Sequence, residues 1–177
     1  ELMTGELERC GKIVSGLLSF SRESTMEYTS LDINEVLTSV IALIRHKLEL
    51  QDIELKTGLH PAPLMVRGEM NLLQQCFLNL IFNAIEAMKP GGHLQVCSTP
   101  GEDARFAAVR ITDNGHGIPE SRLGHIFDPF FTTKEAGQGT GLGLSIVYGV
   151  VKNHEGHIRV DSKVGKGTTF LIDLPYD

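Results

Sequence analysis

The chain reads as an α+β fold, a mixed sheet with helices packed on one face, preceded by an N-terminal helix. Three observations predict it. Apolar residues recur at helical spacing over about 34–50 and 71–88, and again before residue 154. Short runs of strand character fill 93–99, 105–112, 157–163 and 168–174. Those runs are joined partly by hairpin-like turns and partly by a long loop with a helix, which mixes strand directions.

Residues 1–27 read as a helix, with Leu7, Cys10, Val14 and Leu17 on one stripe and Ile13 and Phe20 beside it. Such a helix must pack on something, either its own domain or a partner helix in a dimerising hairpin. Residues 28–33 read as a break. The next helix, about 34–50, turns Val36, Leu37, Val40, Ile41, Leu43, Ile44 and Leu48 to its apolar side. Two short strands, Ile53–Leu59 and Leu64–Arg67, flank Pro61 and Pro63. A third helix runs from about Asn71 to Met88 and stops at Lys89-Pro90-Gly91-Gly92. Residues 113–140 are rich in Gly, Pro and Thr and read as loop with short helical pieces. A helix over about 141–154 and the last two strands follow.

The 177 residues suffice for one ordinary domain with an appended element, and a hydrophobic content of 41% supplies a core. Charged residues make up 21% in mixed sign, which excludes a wholly disordered chain. The net charge of -6 argues against a nucleic-acid surface. An acidic protein that takes up a polyanion needs local positive charge, a metal or backbone amides. Cys10, Cys76 and Cys97 are odd in number, widely spaced and without a CxxC pair, which fits a reduced, cytoplasmic compartment. No apolar run approaches the ~18 residues of a membrane span, and no signal peptide is visible.

Four segments carry candidate chemistry. On the third helix Gln75, Asn79 and Asn83 lie four apart and align on one face. Asparagine is a poor interior helix residue. The stripe is either solvated or offers a carboxamide oxygen to Mg²⁺, which prefers oxygen ligands and is often completed by phosphates. Glu86 lies near the same stripe. Asp113-Asn114-Gly115-His116-Gly117 is either a plain turn or a carboxylate that accepts from an adenine amino group, with two glycines letting backbone approach the ring. The run from Gly137 to Leu144 has glycine at 137, 139, 141 and 143 and enters an apolar helix. Free amides and a helix N-terminus make a ready phosphate site, and alternate glycines seldom accumulate without a close-approach role. The run matches neither GxGxxG nor the Walker A pattern. Gly165-Lys166-Gly167-Thr168 joins the last two strands and needs, by itself, no more than a hairpin.

The four segments stand in the order and approximate spacing of the ATP-binding catalytic domain of sensor histidine kinases, which the chain resembles over roughly residues 30–175. Asn79–Ala84, continuing to Ala87, is similar to that family's N box, the other three segments to its glycine boxes, and Phe127–Lys134 to its F box. The resemblance implies the Bergerat fold, a two-layer α/β sandwich shared with gyrase, mismatch-repair and heat-shock chaperone ATPases, with ATP and Mg²⁺ as ligands. It implies that Asn83 ligates Mg²⁺, with Asn79 beside the phosphates, and that Asp113 reads the adenine amino group between Gly115 and Gly117. It implies phosphate binding by Gly139, Thr140, Gly141 and Gly143, with Leu142 and Leu144 packing beneath, Thr168 near the adenine, and Lys134 reaching the phosphates from a lid. ATPase branches of the superfamily carry a glutamate where this chain has Asn79. The expectation is a site that holds ATP for transfer and hydrolyses it slowly.

The resemblance further implies a phosphoacceptor histidine on a helix before the one at 1–27, in the same subunit or its partner. None of the seven histidines fits. His46 precedes Lys47, His60 precedes Pro61, and His93, His116 and His125 lie in turns or loops. His154-Glu155 has a suitable dipeptide, but Gly156 and His157 follow at a helix end, and the four residues do not match HExxH. The expected organisation is therefore a truncated dimerisation-hairpin helix at 1–29 and an ATP-binding catalytic domain at 30–177. Expected partners are a response regulator receiver domain and a second copy in a full-length homodimer, and the expected setting is soluble or the cytoplasmic portion of a membrane-bound sensor. Two alternatives stay open: a superfamily serine kinase of the anti-sigma type and a regulatory pseudokinase module.

Overall fold

The computed structural model describes residues 27–133 and 139–177. Its elements run β1 (Thr29–Asp32), α1 (Ile33–Leu50), β2 (Glu54–Gly58), β3 (Met65–Gly68), α2 (Met70–Ala87), β4 (His93–Pro100), β5 (Phe106–Asp113), α3 (Glu120–Leu123), α4 (Gly143–Asn153), β6 (His157–Lys163) and β7 (Gly167–Pro175). Five strands form one sheet in the order β2-β4-β5-β7-β6, parallel between β2 and β4 and antiparallel elsewhere. The α+β expectation with a mixed sheet holds. The expected helix at 1–27 lies outside the described residues.

Two local expectations change. The segment read as a break contains β1, which pairs antiparallel with β3 from Thr29↔Gly68 to Asp32↔Met65. The strand expected at Leu64–Arg67 thus belongs to a separate two-stranded sheet. Four mostly polar residues show no alternation, and their partner lies far along the chain, so only the tertiary pairing makes them a strand. Asp32 closes this corner. Its Oδ1 accepts from the amides of Asn34 and Leu64, both at 3.0 Å, capping α1 and pinning β3.

Alternation in the central strands turns one face to the helices. Leu94 and Val96, then Ala107, Val109 and Ile111, then Phe170, Ile172 and Leu174 are buried there. α2 packs between α1 and α4 and lies on β5 and β7. Phe77, Leu80 and Ile81 are wholly buried between helix and sheet, each side chain stabilising the fold by roughly 1.5–3 kcal/mol. Among the described residues no buried side-chain nitrogen or oxygen lacks a hydrogen-bond partner, and no helix is long and apolar enough to cross a membrane.

His154, at the C-terminal end of α4, is only 3% exposed. Its Nδ1 lies 2.8 Å from the Val150 carbonyl and must donate, while its Nε2 accepts from the Glu69 amide at 3.1 Å. Both ring nitrogens are therefore committed, which agrees with its rejection as a phosphoryl acceptor. Burial pushes the imidazole below its ordinary value of 6.5, against the opposing pull of the Val150 carbonyl and the Glu69 charge. Because the folded chain takes up this proton less readily, the group's contribution to stability is present above about 6.5 and is lost as pH falls towards the folded value. Urea unfolding across that window is expected to show this decline. In His154→Phe the decline should vanish, with about 1–3 kcal/mol lost at neutral pH because the Glu69 amide is left unpaired.

Candidate functional site

Register builds one side of the site. β4, β5, β7 and β6 place Leu94, Asp113, Thr168 and Ser162 in one transverse row, on the side of the sheet that faces the helices. The row begins apolar and ends in a carboxylate and two hydroxyls. Asp113 and Thr168 are only 6% and 5% exposed. The Gly115 amide donates to Asp113 Oδ1 at 2.8 Å, and the Thr168 amide also hydrogen-bonds the carboxylate. Burial pushes the carboxyl pKa up, with the two amides and the charge of His116 opposing it. Asp113 is thus a desolvated acceptor held by backbone, next to a buried hydroxyl.

The turn after β5 is fastened on three sides. Asn114 Oδ1 accepts from the His93 amide at 2.8 Å, the His116 amide donates to the Ala87 carbonyl at 3.0 Å, and the Gly165 amide donates to the His116 carbonyl at 2.8 Å. His116 Nδ1 closes onto the Gly117 carbonyl at 2.7 Å. The glycines here have a reason within the protein itself. A Cβ at Gly115 would lie 2.6 Å from the Ala87 carbonyl oxygen at the end of α2, and one at Gly117 (φ +70) would collide with the Lys163 carbonyl. Gly167 (φ +102) likewise packs against the Asp113 carbonyl. Only glycine permits these backbones to meet.

Two helices supply the other side. Glu69 caps α2 by accepting from the amides of Asn71 at 3.1 Å and Leu72 at 2.7 Å. Gln75, Asn79 and Asn83 form the expected stripe and are half-buried, while Glu86 is exposed. The stripe faces the start of α4. Asn79 Nδ2 donates to the Gly143 carbonyl at 3.4 Å, and Asn83 Nδ2 lies 3.9 Å from where a Gly143 Cβ would stand. Among the described residues no side chain caps the N-terminus of α4, which leaves its first amides open to an anion. Thr140 Oγ1 accepts from the Leu142 amide at 3.4 Å. Leu144 packs on the core and Leu142 is half-buried.

The aromatic segment before α4 divides its tasks. Phe127 and Phe131 pack on the core, whereas Phe130 is 61% exposed with φ +67. A Cβ at Gly141 would meet the Phe130 carbonyl oxygen at 2.6 Å, so these two backbones touch. Gly139 and Thr140 adjoin this contact in sequence. Lys134 and Gly137 lie outside the described residues. Sequence reasoning missed Ser162, although a hairpin centred on Gly165 already sets 162 opposite 168. A cleft of about 880 Å³ lined by Tyr28, Arg67, His154 and Tyr176 sits at the far ends of α4 and β7, away from Asp113 and Gly143.

A buried carboxylate, an asparagine-bearing helix and a helix start together offer acceptors and free amides suited to a polar, anionic ligand, and the comparisons with known proteins give the class of the chain. The family described as histidine kinase-, DNA gyrase B-, and HSP90-like ATPase matches residues 68–177, and the chain belongs to it. Within that class it is similar to histidine kinases. Sensor kinase CckA of Brucella abortus (strain 2308) is 42% identical over 181 residues, covering 94% of this chain and 19% of that protein. The catalytic domain of histidine kinase ThkA, in a nucleotide-free form, superposes with a TM-score of 0.76 at 32% identity, covering 85% of this chain and 96% of that one. ThkA in complex with response regulator protein TrrA superposes with a TM-score of 0.81 at 29% identity, covering 99% and 50%. The chain spans well under half the length of the curated relatives it matches.

Proposed function

We propose that this chain binds ATP with Mg²⁺ and is the phosphoryl-donor half of a two-component histidine kinase. The observation that carries the proposal is the pair Asn79 and Asn83, one helical turn apart on α2 and facing the uncapped start of α4, with no carboxylate in that place. Asp113, with Thr168 beside it, accepts from the adenine amino group, and the amides from Gly139 to Leu144 take the phosphates. The donor chemistry fits Mg²⁺. The Asn79 amide nitrogen is turned to the Gly143 carbonyl, and the carboxamide oxygen of Asn83 is a hard, neutral ligand of the kind that leaves room for phosphates and water. When bound, the ion neutralises phosphate charge. The residues themselves hold the nucleotide, and Asn79 cannot act as a general base, so catalysis rests on positioning.

The acceptor is a histidine on a dimerisation hairpin of the same full-length protein, in its own or its partner subunit. Its imidazole nitrogen attacks the γ-phosphorus, the bond to the β-bridging oxygen breaks, and ADP leaves. The phosphoryl group then passes to an aspartate of a response regulator receiver domain, a partner supported by the ThkA–TrrA likeness. The residues before β1 serve as one hairpin helix on the strength of the Leu7, Cys10, Val14, Leu17 stripe, and the residues from β1, which pairs with β3, onward as the catalytic domain. Use of ATP supports a cytoplasmic setting.

Mixing the chain with a separate acceptor hairpin and γ-labelled ATP tests the proposal. Acid-labile label on the hairpin is expected. Acid-stable label would point to serine instead, and tight ATP binding with no label would point to a pseudokinase.

A further inference from the structure

Ser162 ends the row that carries Asp113 and Thr168, and its hydrogen bonds give it a task there. It stands opposite Thr168 across the β6–β7 pair. Its Oγ accepts from the Ile118 amide at 2.8 Å, lies 3.0 Å from the Gly167 carbonyl oxygen, and lies 2.9 Å from Thr168 Oγ1. A hydroxyl has one proton and two lone pairs. A carbonyl only accepts, so the Gly167 contact takes the Ser162 proton. The Ile118 amide takes one lone pair. The third contact is then a hydrogen bond only when Thr168 donates. No other assignment makes hydrogen bonds of all three contacts.

We infer that Ser162 fixes the polarity of the Thr168 hydroxyl and thereby makes the base pocket prefer a 6-amino purine to a 6-oxo purine. The inference rests on the ATP reading above. With its proton committed to Ser162, Thr168 Oγ1 keeps only lone pairs for a ligand. Asp113, its neighbour in register, is also an acceptor. An adenine amino group donates into such a pair, whereas the carbonyl oxygen of hypoxanthine or guanine meets acceptor with acceptor. A threonine free to rotate would donate to that oxygen and admit the oxo purine. Ser162 removes that freedom without touching the nucleotide, so it is a positioning residue. Ile118, held by the same oxygen, ties the turn after Asp113 to the arrangement.

Calorimetric titration of the 177-residue chain with ATP and with ITP tests this. The unaltered chain is expected to favour ATP, and Ser162→Ala to lower the ATP-to-ITP affinity ratio by about tenfold, the worth of one hydrogen bond. Loosening of the turn alone would weaken both nucleotides alike and leave the ratio in place. Ser162→Thr keeps the hydroxyl and is expected to restore the ratio. Should Ser162→Ala fail to fold, Thr168→Val reads the same ratio with the hydroxyl removed at its other end, and is likewise expected to lower it. An unchanged ratio in the folded variant, or equal affinities in the unaltered chain, overturns this inference alone. An unaltered chain that binds neither nucleotide overturns the ATP reading and this inference with it.

Discussion

Asp113→Asn is expected to weaken ATP binding by roughly 10- to 150-fold, the range set by loss of one hydrogen bond to a charged group. The argument turns on how the side chain is held. The Gly115 amide donates to Oδ1 at 2.8 Å, so an asparagine keeps its oxygen at that place and must turn its amino group to the ligand. An adenine amino group would then face another donor. The fold should survive, because the replacement has the same shape and the Gly115 bond persists, with the Thr168 amide bond kept only where it shares that oxygen. The unaltered chain adds a pH signature. Burial sets the Asp113 carboxyl above its ordinary 3.8, so ATP affinity should fail at a higher pH than an exposed aspartate would allow. Stability runs the other way. A carboxyl whose folded value is raised binds its proton more tightly in the folded chain, so its contribution to stability grows as pH falls through the folded value towards the unfolded one. Asp113→Asn should remove both dependences. An ATP affinity within about twofold of the unaltered chain, less than even one neutral hydrogen bond is worth, would exclude Asp113 as the base-reading group.

Much of this site was legible in the sequence because its residues obey short-range rules. Asn79 and Asn83 share a face through helical periodicity alone, and the structure keeps them half-buried at α4. The glycines of the three loops were legible as positions that refuse a side chain. What the side chain would strike was not. Gly115 and Gly117 read in sequence as positions beside a ligand and Gly167 as part of a hairpin, and each also abuts protein backbone brought in by tertiary packing. β1 was missed for a related reason, since its strand character comes from Met65–Gly68 and not from its own residues. Ser162 looks in sequence like any polar residue of an alternating edge strand. Its meaning appears only when the hairpin register sets it beside Thr168 and the turn from β5 brings the Ile118 amide to it. The adjacent phenylalanines show the limit most plainly, because nothing in the sequence distinguishes the packed Phe131 from the exposed Phe130.

Asn79→Glu is expected to convert the site from storage to hydrolysis, raising phosphate release in the absence of an acceptor by about a hundredfold or more, as a placed general base does. Asn79 now uses its amide nitrogen to donate to the Gly143 carbonyl at 3.4 Å. A glutamate has no donor for that carbonyl, and two acceptors at this distance repel. The carboxylate must leave Gly143, and the direction open to it is set by charge, since the uncapped start of α4 attracts an anion. With ATP bound those amides hold the phosphates, so the carboxylate stays beside them, and the expected rise in release requires it to take a proton from a water in line with the γ-phosphorus. Asn79→Ala separates the two consequences. It loses the Gly143 bond without gaining a base, so it should loosen the start of α4 while phosphate release stays at the basal rate. Labelling of the acceptor hairpin should fall in Asn79→Glu, because nucleotide is consumed before transfer. Release in Asn79→Glu no faster than in Asn79→Ala would show that a side chain at 79 does not address the γ-phosphate, and the sparing of ATP would then have to come from exclusion of water.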